Sequence, residues 1–80
     1  MADLSVVIAR NARALRAAGQ LRQVDVAGRA GISRTQLSVI EGGGRLVSIE
    51  DVLALCRGLG VGIRDLVVGA DPGDLELLGL

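Results

Sequence analysis

Between Ala30 and Gly44 the chain specifies where one helix stops, where the next begins and where that one stops in turn, which leaves few folds open to it. The stretch reads AGISRTQLSVIEGGG. Gly31 is suited to the left-handed backbone that closes a helix. Ser33 and Gln36 stand at the spacing of a Ser-x-x-Gln capping box, in which the two side chains satisfy backbone N–H groups at a helix start. Leu37 and Ile40 fall on one side of the segment that follows, and Gly42, Gly43 and Gly44 end it. Arg34, Thr35, Ser38 and Val39 are then turned outward together.

The flanking sequence reads as further short helices. Asp3 caps a first helix running to about Ala18, with Ile8, Ala12 and Leu15 as its apolar stripe, Arg10, Arg13 and Arg16 on the neighbouring face, and Gly19 as its stop. A second, from about Gln23 to Ala30, puts Val26, Ala27 and Ala30 on one side, and Gly28 within it is expected to allow a close backbone crossing. Ser48 and Asp51 form a second capping box, opening a helix with Val52, Leu53, Leu55, Cys56 and Leu59 over a wide apolar arc. A fifth short helix is expected from about Ile63 to Val67, ending at Gly69. Asp71-Pro72-Gly73 reads as a turn, before an apolar tail from Asp74 to Leu80 of undecided structure. The fold class is all-α: a five-helix domain over residues 1–69 with a tail over 70–80.

Composition narrows the function. Eighty residues support one small core, and with no Phe, Tyr, Trp, His or Lys it is built from Leu, Val, Ile and Ala. Aromatic stacking on single-stranded nucleic acid and His-based metal or acid/base sites are excluded, no nucleophile and base fall at a recognisable spacing, and neither an enzyme nor a cofactor is expected. Cys56, the single cysteine, reads as a small buried hydrophobe. No apolar run is long enough for a membrane helix, and Met1-Ala2-Asp3 is not a positively charged signal start, so a cytoplasmic, soluble protein is expected. The zero net charge hides an asymmetry. Residues 1–45 hold seven arginines against three acidic residues, and residues 46–80 hold two against six. One end attracts a polyanion and the other repels it.

Two helices joined by Gly31-Ile32-Ser33 are a helix-turn-helix by spacing, a geometry also found in helical proteins that never touch DNA. From about Ile8 to Val67 the sequence resembles the Cro/CI-type, or Xre, family of phage-repressor-like regulators. The resemblance rests on Gln23, on Ala27, on Gly31, Ile32, Ser33, Leu37, Ser38, Ile40, Glu41 and Gly43, and on Ser48, Ile49, Glu50 and Val52. It implies that Arg16, near the end of the first helix, pairs with Glu41 at the end of the third. Arg22 stands where the family has Ser or Thr, which removes the cap of the second helix. Val47 replaces a proline, and Gly42 and Gly44 replace charged residues, so a more mobile, less basic loop is expected.

The implied function is sequence-specific binding of double-stranded DNA, with the third helix in a major groove about 12 Å wide. Arg34 is the expected base reader, through a bidentate pair to guanine, and Thr35, Ser38 and Val39 offer a short hydroxyl or a methyl to base edges. Gln23 and Arg22 are expected at phosphates, with Ser33 and Gln36 in the same role or simply capping each other, and Arg45 as a backbone clamp or a solvated loop charge. A homodimer reading an inverted repeat is the simplest regulator. Leu55, Leu59, Ile63, Leu66, Leu75, Leu77 and Leu78 are its expected interface, unless the tail folds back to finish its own core. A protein-interaction module, an antitoxin or a restriction-modification controller would use the same fold.

Overall fold

The computed structural model describes residues 3–80; Met1 and Ala2, part of the start considered above, lie outside the described residues. Six helices follow in order: α1 Leu4–Ala18, α2 Gln23–Ala30, α3 Arg34–Glu41, α4 Ile49–Leu59, α5 Ile63–Leu66 and α6 Pro72–Leu77. None of them is long and apolar enough to cross a membrane.

The helix ends are set by local chemistry. Asp3 accepts from the Ser5 N–H at the start of α1. Both capping boxes form, Ser33 with Gln36 and Ser48 with Asp51. Gly31 and Gly60 close α2 and α4 with φ of +76° and +70°, in the left-handed region. The tail, left undecided by its sequence, is helical. Asp71 accepts from the N–H groups of Gly73 and Asp74, and Pro72, which has no N–H to leave unpaired, occupies the first turn.

Val7, Ile8 and Ala12 of α1, Val26 and Ala27 of α2, Leu37 and Ile40 of α3, Val52 and Leu55 of α4 and Leu66 meet in one core. Its tightest seam is between α2 and α4, and Gly58 makes it possible. A Cβ there would lie 2.7 Å from the Val26 carbonyl oxygen and 2.8 Å from Val26 Cγ1. The close crossing expected at Gly28 is therefore made by Gly58 instead, because Gly28 is on the outer side of α2, where a Cβ would meet nothing within 4 Å.

The leucines sort differently from the expected interface. Leu55 and Leu66 are fully buried in their own core and offer nothing to a partner. Leu59, Ile63 and Leu75 are half-buried and pack against that core, as does Leu80, so the tail folds back onto its own domain. Of the interface set, Leu77 and Leu78 remain exposed. Cys56 is half-buried rather than buried, and burial, with Asp65 nearby, pushes its thiol pKa up.

Candidate nucleic-acid interface

α3 is held at both ends and along one face. α3 buries Leu37, Ile40 and Glu41 and exposes Arg34, Thr35, Gln36, Ser38 and Val39 along its outer face. Arg34 makes no ion pair or side-chain hydrogen bond among the described residues, so its five donors are available to a ligand. At the start of α3, Ser33 Oγ accepts from the Gln36 N–H at 3.0 Å, and the Ser33 N–H donates to Gln36 Oε1 at 2.8 Å.

The far end of α3 is fixed by charge. Arg16 Nε donates to Glu41 Oε2 at 2.8 Å, and its Nη2 donates to Oε1 at 3.0 Å. The third nitrogen, Nη1, donates to the Leu21 carbonyl at 3.1 Å, tying the α1–α2 turn into the same cluster. Glu41 is only 3% exposed, and its Oε1 also accepts from Gln23 Nε2 at 3.0 Å. The carboxylate holds the Arg16 guanidinium charged, raising its pKa. Arg13 Nη2 adds a bond to the Glu41 backbone carbonyl at 3.0 Å, satisfying an orphan acceptor at the helix end. This fork-to-carboxylate geometry fixes both the distance and the rotation of α3 against α1.

At the start of α2, Arg22 is the N-cap and provides no side-chain cap; the Asp25 N–H donates to the Arg22 carbonyl at 3.1 Å, and the N–H groups of Gln23 and Val24 have no side-chain cap. The Arg22 fork reaches Asp25 instead, with Nε at 3.0 Å from Oδ2. The pair is exposed, and it lowers the Asp25 pKa.

The sequence matches the helix-turn-helix domain family over residues 7–68. The chain belongs to that family. Its helix-turn-helix domain is of the DNA-binding kind found in regulators. The structure is similar to that of the clp gene regulator ClgR from C. glutamicum, with a TM-score of 0.78 and 25% identity over 85% of this chain and 88% of that one. It is also similar to the restriction-modification controller protein C.AhdI from Aeromonas hydrophila, with a TM-score of 0.71 and 32% identity over 78% of this chain and 94% of that one. The hypothetical transcription factor NHTF from Neisseria gives a TM-score of 0.73 at 26% identity, covering 95% of this chain and 85% of that one. No curated protein matches the sequence.

Within this helix-turn-helix domain, Arg34, Thr35, Ser38 and Val39 share one exposed face, and Arg22 and Gln23 lie at the adjoining helix start. Three expected roles change. Arg22, expected at a phosphate, has its fork on Asp25 at the exposed surface. One amide proton of Gln23 is spent inside the fold on Glu41, so the side chain is a bridge between α2 and α3 as well as a surface group. Arg45 is not a free clamp. Its Nη2 donates to Asp51 Oδ1 at 3.0 Å, its Nη1 donates to Asp51 Oδ2 and to the Leu46 carbonyl, and its charge is compensated. The loop expected to be mobile is tied down by that pair, by the Gly44 N–H donating to the Val39 carbonyl at 2.9 Å, and by the Val47 N–H donating to Ser5 Oγ at 2.9 Å.

Two positioning residues escaped the sequence reading. One is Arg13, described above. The other is Asn11, whose Nδ2 donates to the carbonyls of Leu66 and Val68 at 2.7 and 2.8 Å and so closes the end of α5 against α1. The one available signal was an isolated asparagine inside a helix that, past Ser5 in its first turn, is otherwise made of apolar residues and arginines.

Proposed function

We propose that this chain is a transcription regulator, most simply a homodimeric repressor, that reads an inverted repeat with α3 in the major groove. The observation that carries the reading is the outer face of α3. It combines an unpaired arginine, two hydroxyls and a valine methyl on a helix whose opposite face is fully buried and whose far end is locked by Glu41. A rigid helix presenting short side chains and one arginine suits base edges, where a bidentate arginine distinguishes guanine. Arg34, Thr35, Ser38 and Val39 take the base edges. Gln23 and the exposed Arg22 take phosphates beside them at the uncapped start of α2, Arg22 in exchange for its surface pair with Asp25, and Ser33 and Gln36 do so while capping each other. Residues 1–69 form the DNA-binding unit and residues 70–80 complete it.

Similarity to C.AhdI supports a second version of the reading, in which the regulated genes are a restriction and modification pair. Both versions use the same interface. Selection from a random duplex pool tests the proposal: an enriched inverted repeat with half-sites about one helical turn apart is expected. Failure to enrich any sequence, with only weak salt-sensitive binding, would leave a protein-interaction module as the better account.

A further inference from the structure

α4 has a second face. While Val52 and Leu55 point into the core, Leu46 before the helix and Ile49 and Leu53 on it are 73%, 69% and 50% exposed. Glu50 and Arg57 lie on the same side and are also exposed. Positions 50, 53 and 57 follow steps of three and four, which keep them on one helix face. Neither charge has an ion-pair partner among the described residues, and about 10 Å of helix axis separates them, too far for them to pair with each other.

We infer that this stripe is where a second copy of the chain packs, α4 running antiparallel to α4 of the partner across a twofold axis beside Leu53. The inference rests on the homodimer reading and assigns its surface. Antiparallel pairing about that axis sets Leu53 against its own counterpart and Glu50 opposite Arg57 of the partner subunit, and the reverse pair follows from symmetry. Two ion pairs then flank an apolar centre, which Ile49 and Leu46 extend. A parallel arrangement would set glutamate against glutamate and arginine against arginine, so the charges select the antiparallel one. The exposed Leu77 and Leu78 lack this complementarity. α6 carries Asp74 and Glu76 and no basic residue, and a twofold contact there brings acid to acid.

Sedimentation of the full chain tests the assignment. Glu50→Arg and Arg57→Glu should each weaken self-association about tenfold, and mixing the two variants should restore it as a heterodimer, because every facing pair is then unlike. Leu53→Asp should weaken it on the order of a hundredfold. Should Leu53→Asp fail to fold, the reversals at exposed positions still decide. Reversals that associate like the unmodified chain, or a mixture no tighter than either variant alone, would overturn the inference, as would an unmodified chain that stays monomeric at about 100 μM. Binding to a half-site duplex is read in parallel. Its loss in the unmodified chain counts against the DNA reading alone, and its persistence in a monomeric chain counts against the interface alone.

Discussion

Glu41 shows how much of the interface depends on single side chains. A carboxylate this deeply buried is tolerated because Arg16 and Gln23 together give it three hydrogen bonds. Removing either charge strands the other. Arg16→Ala and Glu41→Ala should each cost about 2 to 4 kcal/mol, and the double variant should cost less than their sum. Denaturant melts measure this, and strict additivity would contradict the coupling. Arg34 behaves oppositely, since it is exposed and makes no side-chain hydrogen bond or ion pair among the described residues. Arg34→Ala should leave the melting transition in place, relax the preference at one base pair per half-site and weaken specific binding by about 1 to 3 kcal/mol. Equal losses on specific and random duplexes would remove Arg34 from the base-reading set. Gln23→Ala should lower affinity for all sequences alike and also melt earlier, because its amide bridges α2 to Glu41.

At the scale of the helix, the seam between α2 and α4 depends on a missing methyl. Gly58→Ala places a Cβ against Val26 and within 3.2 Å of Ala30 Cβ, so the two helices must separate, at a cost of about 1 to 3 kcal/mol. Gly28→Ala meets open space and should stabilise by about 0.5 to 1 kcal/mol through helix propensity. Thermal melts of the pair should move in opposite directions. The start of α4 carries a pH dependence. The Arg45 guanidinium, assisted by the Ser48 N–H, outweighs burial and holds the Asp51 carboxyl at about 2 against an ordinary 3.8. A carboxyl lowered on folding stabilises the fold above its unfolded pKa, and that contribution is lost as pH falls from about 4 through about 2. Asp51→Asn should flatten this acid arm of a stability-against-pH curve. It should also cost on the order of 1 to 2 kcal/mol at neutral pH, discounted because Arg45 is partly exposed.

For the molecule as a whole, α6 belongs to the domain it follows. Leu75 and Leu80 lie on the core, and the Leu80 N–H donates to the Leu75 carbonyl at 2.8 Å to turn the chain end back. Deleting Asp71 to Leu80 should therefore lower the melting temperature, and Leu75→Ala alone should cost about 1 to 2 kcal/mol. Self-association through α4 should survive the deletion, and sedimentation of the truncated chain checks it.

Local chemistry made most of the helix plan legible in the sequence. The two capping boxes, the left-handed glycine at 31 and the outward set on α3 are each decided within about four residues, by a hydrogen bond or a dihedral preference that distant residues do not alter. The pairing of Arg16 with Glu41 came only from resemblance to a family, since 25 residues separate the two. Tertiary structure alone decided which leucines are core and which are surface. α4 is apolar over so wide an arc that either side of it could face inward, and the close approach at Gly58 chose the rotation that buries Leu55 and leaves Leu53 in solvent. The partners of Arg45, Arg13 and Asn11 were decided the same way. A long polar side chain takes whichever acceptor the packed helices bring within reach, and no local pattern records which one that is.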